Sequence, residues 1–201
     1  AAADHVFGEG GVAEGSGTLQ INQGVTIAKV ITLKDGGTLD NRGVVNGVGS
    51  TTNGVTAINS GTIAGSLSFS GAHATIILEE GSLIQGDLTL DPGIAPTLIL
   101  RGSDSQLFSE ALQGILSMTS GTFAKEGSGT WILDTPLALP VVSSIHEGAL
   151  RVSGTVAFES VNIANGLLAI NNGSRLEAGV ITVAADATGS GTMQLNAGST
   201  L

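Results

Sequence analysis

The chain has no cysteine, no tyrosine and only four prolines among its 201 residues. Without cysteine there is neither a disulfide framework nor a thiolate metal site. Aromatic residues make up 3 % of the chain, so the 41 % that is hydrophobic must build its core from Leu, Ile, Val and Ala. Positive charge is scarce as well: seven Lys and Arg face 17 Asp and Glu, a formal net charge of −10. The bases form no cluster, and such a surface repels phosphate backbones and anionic lipid, which sets nucleic-acid binding aside. The acids are scattered too, as on an ordinary solvated surface. No apolar run has the length of a transmembrane helix, and no basic-then-apolar leader opens the chain. The expectation is a cytosolic protein, or one whose targeting segments lie outside this stretch.

Glycine is abundant instead, at 31 residues. That density penalises long helices but not short strands joined by tight turns. The glycines recur with their neighbours, as Gly17-Thr18-Leu19, Gly37-Thr38-Leu39, Gly61-Thr62-Ile63 and Gly81-Ser82-Leu83. Later, Gly148-Ala149-Leu150 is followed by Gly166-Leu167-Leu168, and Gly173-Ser174 by Gly191-Thr192. The period is about 20 residues, the range of solenoid repeats. Gly198-Ser199-Thr200-Leu201 reads as the opening of another unit, so the chain is expected to stop inside an array.

Each unit holds short segments of two-residue alternation, such as Leu88-Thr89-Leu90, Leu98-Ile99-Leu100 and Val180-Ile181-Thr182-Val183. Alternation suits strands with one buried face. Between them stand Asn-Gly at 46, 53, 165 and 172 and Asp-Gly at 35, dipeptides that tolerate positive φ and turn the chain. Short strands and strong turns on that period predict an all-β chain folded as a right-handed parallel β-helix. Division of the length gives roughly ten coils of about 20 residues. The rival is an antiparallel β-sandwich, because Asn-Gly is also a hairpin signal. Hairpins require paired strands longer than many of the runs here.

Residues 1–16, rich in Gly, Ala and Glu, read as an irregular lead-in or cap, and residues 17–201 as a single β-helix. Residues 104–121, DSQLFSEALQGILSMTSG, interrupt the repeat and are expected to form an irregular coil. Within it, Ser109–Gln113 suits a short helix or a displaced strand.

Reactive constellations are missing. Gly-x-Ser-x-Gly does not occur, which removes the usual elbow for a serine nucleophile. The three histidines, His5, His73 and His146, lie far apart in sequence, and none belongs to a His-Glu-x-x-His zinc pattern. Neither an EF-hand nor a Gly-Gly-x-Gly-x-Asp calcium repeat is present, and no Gly-Lys-Ser/Thr closes a phosphate loop. Arg-Gly-Asp is absent, and Asn172-Gly173-Ser174 fits a turn better than a glycosylation site. Candidate carboxylate pairs are Glu79 with Glu80, Asp87 with Asp91, and Asp35 with Asp40. Adjacent residues on a strand point to opposite faces, and glycan chemistry usually adds aromatic platforms that this chain lacks. No cofactor, no metal and no enzymatic activity are expected.

The most distinctive pattern lies at residues 123–154, FAKEGSGTWILDTPLALPVVSSIHEGALRVSG. Its lysine, Gly-x-Gly-Thr, short strand, variable gap and Gly-x-Leu-x-Val resemble the passenger-associated transport repeat of bacterial autotransporters (type V secretion). The matching positions are Lys125, Gly127, Gly129, Thr130, Trp131, Leu133, Ile145, Gly148, Leu150 and Val152. Trp131 stands where an aliphatic residue is usual, and the gap contains Pro136 and Pro140. Upstream, AINSGTIAGSLSF at residues 57–69 resembles phrases common in the same passengers. The resemblance implies a cell-surface or secreted protein of a Gram-negative bacterium, exported through a C-terminal outer-membrane barrel outside this stretch. It implies a virulence-associated role in binding, as adhesin, self-associating factor or host-receptor ligand. The partner would be a host-cell surface molecule or another copy of the chain. Two alternatives stay open: the stalk of a toxin or enzyme passenger whose active domain lies elsewhere, and a polysaccharide-active β-helix.

Overall fold

The alternation of the sequence becomes stacked strands in which one side chain enters the interior and the next faces outward, as in Thr56–Asn59 and Thr97–Leu100. The structure, a computed structural model, describes residues 12–13, 17–91, 95–184 and 189–201. The chain is a parallel β-solenoid of about eight turns, and the one helix among the described residues is Phe108–Ala111. Strand pairing is parallel throughout, so the antiparallel sandwich is excluded.

Three sheets run along the solenoid. The long sheet climbs from Thr18–Ile21 through Thr38–Asn41, Thr56–Asn59, Thr75–Leu78, Thr97–Leu100 and Thr122–Lys125. It then continues through the longer strands Leu137–Ile145, Thr155–Ile163 and Arg175–Val183. An N-terminal sheet runs from Val12–Ala13 through Thr26–Leu33, Val44–Ser50, Leu67–Phe69 and Leu88–Leu90 to Leu116–Met118, with Thr62–Ile63 and Leu83–Ile84 at its side. A C-terminal sheet begins at Ser105–Leu107 and continues through Thr130–Leu133, Ala149–Val152, Leu167–Ile170 and Thr192–Leu195.

Six threonines, at 18, 38, 56, 75, 97 and 122, stand in one register on the long sheet. The β-branched side chain fits a half-buried pleat, and identical neighbours hydrogen-bond across the rung, as Thr122 Oγ1 does to Thr97 Oγ1 at 3.1 Å. One residue further along, Leu39, Ala57, Ile76, Leu98 and Phe123 stack inward and are buried. A single coil leaves that row open to water; each neighbour covers it, and burial of a Leu or Ile side chain contributes roughly 1.5–3 kcal/mol. Phe123 and Phe158 add a ring contact at 5.3 Å between centroids.

Asparagines enter the same interior with partners, whereas the Oγ of the buried Ser82 has none. Asn41 and Asn59 occupy one column between Ile21 and Leu78. Asn41 Nδ2 donates to Asn59 Oδ1 at 2.7 Å, Asn59 Nδ2 donates to the Gly61 carbonyl at 3.0 Å, and Asn41 Oδ1 accepts from the Gly43 N–H at 3.2 Å. Truncation at Asn59 removes both of its side-chain bonds, although Asn41 Nδ2 keeps the Thr62 carbonyl at 3.3 Å and the Gly61 carbonyl keeps the Leu83 amide at 2.9 Å. Asn59→Ala is therefore expected to lower unfolding stability by about 1–3 kcal/mol in urea titration. A loss below about 0.5 kcal/mol, the size of a change at an unremarkable surface site, would show that the ladder does not hold these coils together.

Several finer expectations are corrected. The rungs Thr75, Thr97 and Thr122 are spaced more widely than the opening glycines, so dividing the chain by the glycine period overcounts the turns. Gly37-Thr38 and Gly61-Thr62 do not share a column: Thr38 pairs Thr56, while Thr62 pairs Leu83 in another sheet. The equivalent of Gly173 is Gly198, not Gly191, because Arg175 bridges to Thr200 and Thr192 pairs Leu167. Asn46-Gly47 makes no turn and lies inside Val44–Ser50. Of the lead-in, Val12–Ala13 is already a strand paired to Thr32 and Leu33, and residues 1–11 and 14–16 lie outside the described residues. In the interruption at 104–121, the helix Phe108–Ala111 overlaps the Ser109–Gln113 stretch, and the strands Ser105–Leu107 and Leu116–Met118 stand on either side of it.

Candidate functional site

Lys125 closes the strand Thr122–Lys125, and alternation with buried Phe123 turns it inward. Its column reads Leu78, Leu100, Lys125, Ile145, Ile163, every member 0 % exposed. An ammonium in such a column requires acceptors. Lys125 Nζ donates to the carbonyl oxygens of Glu126 at 2.6 Å, Gly127 at 2.5 Å and Glu147 at 3.2 Å. Two of these belong to its own corner and the third to the coil above, so one cation ties consecutive turns. Burial pushes the Lys125 pKa down, and the carboxylates of Glu147 and Glu126 pull against that shift.

The corner bends on glycines. Gly127 and Gly148 hold φ of +71° and +66°, a region costly for other residues. A methyl group at Gly129 would overlap the Asp104 carbonyl oxygen, and one at Gly148 would overlap those of Gly127 and Gly129. This close approach permits the backbone bonds Gly129 N to Gly102 O at 2.9 Å and Ala149 N to Gly129 O at 3.0 Å. The strands that follow stack in register, with Thr130 on Ala149, Trp131 on Leu150 and Leu133 on Val152. Trp131 is 1 % exposed and sits between Gln106 and Leu150. Its indole Nε1 donates to the Arg101 carbonyl at 3.3 Å. All ten positions singled out in residues 125–152 thus belong to this corner, its two stacked strands or the Lys125 column.

On the solvent side, the corner carries polar groups in adjacent turns. Arg101 donates through Nη2 to Glu79 Oε1 at 2.6 Å. Glu80 Oε2 accepts the amides of Ser103 and Asp104, each at 3.1 Å. Those hydrogen bonds hold the Glu80 carboxyl below its ordinary range, while the Asp104 carboxyl beside it is raised by its hydrogen bond and repulsion with Glu80. Above lies an open cleft of 580 Å³ lined by Arg101, Glu126, Gly127, His146, Glu147 and Asn165.

Of the other candidate acids, Asp91 is exposed, and Asp87, Asp40 and Asp35 make local contacts. Asp87 Oδ1 accepts the Ile115 amide at 2.8 Å, Asp40 pairs with Arg42 at 2.8 Å, and Asp35 sits at φ +49° with its amide donating to Thr52 Oγ1. His73, at φ +57°, and His146 are exposed on different turns, and His5 lies outside the described residues. Among the described residues no three His, Asp or Glu side chains gather as a metal site. No helix among them is long and apolar enough to cross a membrane.

Sequence reasoning missed the Asn41–Asn59 ladder, although the phrases Asn-Arg-Gly-Val-Val and Asn-Ser-Gly-Thr-Ile open alike in successive turns. It also missed Gln106, which donates to the Ser82 carbonyl and accepts the Gly81 amide. No family model, curated protein or solved structure matches the chain.

Proposed function

We propose that the chain is part of a passenger of the autotransporter type, displayed or secreted by a Gram-negative bacterium, acting by binding rather than by catalysis. The observation that carries this reading is the corner of residues 125–152. There the spacing that resembles the transport repeat coincides with a buried, carbonyl-capped lysine, two glycine bends and two stacked strands. A solenoid presents long faces instead of one deep pocket, and the candidate acids are largely engaged in local contacts. Binding then comes from an extended face, and its acidic charge makes contact dependent on local complementarity. The partner is a host-cell surface molecule or a second copy, and the outer-membrane barrel belongs to the rest of the protein.

The test displays the full-length protein on otherwise non-adherent bacteria and measures clumping and host-cell attachment at low and physiological salt. At least one should rise over cells carrying the barrel alone. No change in either at both salts rejects the adhesin and self-association readings and leaves the stalk of a toxin or enzyme.

A further inference from the structure

Two strand edges stop inside the solenoid and face the same opening. The N-terminal sheet ends at Leu116–Met118, which pairs downward with Leu88–Leu90 and has no strand above it. The next turn passes straight from Thr130–Leu133 into Leu137–Ile145. That long strand pairs downward only through Val142–Ile145, so its first part, Leu137–Leu139, has a strand partner only above, at Val156–Phe158. Between the two edges lies an open cavity of 490 Å³ whose lining includes Phe108, Leu112, Ile115, Leu116, Pro136 and Leu137. A terminal strand presents backbone N–H and C=O groups that another strand can complete. Ile115, at the mouth, is 72 % exposed, the highest of the large exposed hydrophobic side chains among the described residues.

The rim has one sign of charge. Asp87 binds the Ile115 amide, and Asp134 accepts the amide of Ser109, another lining residue, at 3.0 Å. No Lys or Arg occurs between Arg101 and Lys125, or between Lys125 and Arg151.

We propose that this opening receives one extended basic segment of a partner protein, which adds as a strand beside Leu116–Met118. Backbone bonds to the open edge supply the common part of the affinity. Alternate apolar side chains cover Ile115 and Leu116, and lysine or arginine side chains meet the acidic rim. An acidic segment is repelled, and a segment without backbone N–H groups cannot complete the edge. The inference rests on the strand edges and the charge, independently of where the protein works.

The probe is a short fluorescent peptide alternating lysine with valine. Its controls carry glutamate in place of lysine, or N-methyl groups along the edge that must pair. Saturable binding of the lysine peptide alone is expected, weakened at least about tenfold by Ile115→Lys. The substitution sits at an exposed position, and unchanged Trp131 fluorescence confirms that the solenoid remains intact. Hydrogen exchange should slow at the amides of Leu116 and Met118 when the peptide is bound. Absence of binding, equal binding of the N-methylated peptide, or undiminished binding by Ile115→Lys overturns the proposal. So does a dimer in sedimentation that Ile115→Lys abolishes, which assigns the opening to a second copy.

Discussion

Gly148→Val is expected to unfold the turns around residues 123–154 while leaving the first hundred residues folded. Two penalties coincide at this position. A β-branched residue at φ +66° is strained by roughly 1–3 kcal/mol. Its Cβ would also overlap two carbonyl oxygens of the preceding corner, so the coils must separate. Gly129→Val carries only the second penalty and should be milder. Gly17→Ala is the control, because nothing lies within 4 Å of the added Cβ and φ there is not positive. In a solenoid the damage passes only to neighbouring turns, since stability sums local and nearest-neighbour terms. Hydrogen exchange followed by peptide mapping reads the outcome: rapid exchange confined to the disturbed turns. Uniform loss of protection from Leu19 onward would show a single cooperative unit instead.

Lys125→Met should cost about 2–4 kcal/mol, although methionine fills most of the space and belongs in a column of Leu and Ile. Three carbonyl oxygens lose their donor, at roughly 1–3 kcal/mol for each that stays dry. Relief from burying an ammonium offsets part of that sum. The pH dependence carries the signature. The folded pKa of Lys125 lies below the ordinary value of 10.5, so between the two values the unfolded chain holds more protons. Stability of the wild type therefore gains a contribution as pH rises through the folded pKa, and the gain levels off above 10.5. Urea midpoints read from Trp131 across that alkaline window should show the rise in wild type and its loss in Lys125→Met. An identical rise in both proteins would assign it to other groups.

The solenoid was legible in the sequence because its signals are local. Leu88-Thr89-Leu90 and Leu98-Ile99-Leu100 alternate within single strands, and both are strands. Gly148-Ala149-Leu150 lies beside Gly166-Leu167-Leu168 in the register that their shared opening implies. Columns were harder to read, because every turn crosses more than one sheet and each opens with similar residues. Thr38, Thr56 and Thr62 all begin strands, and only pairing separates Thr56 from Thr62. The corner glycines were readable by type, while the acceptors of Lys125 were not. Backbone carbonyls leave no residue signature, and Glu147 arrives from the next turn.

The rung spacing bears on how the chain reaches this state. Every ladder joins a strand to one in the adjoining turn, from close partners such as Val30 and Gly47 to wider ones such as Leu88 and Leu116. The relative contact order is therefore about 0.1, near that of helical bundles rather than of β-sandwiches. Loop closure costs nearly the same at each step, because no pairing spans the molecule. A longer solenoid has more rungs but no longer loop to close, so its elongation rate is independent of its length. Growth proceeds by adding one turn to an existing edge, and each addition needs only the stretch of chain that completes it.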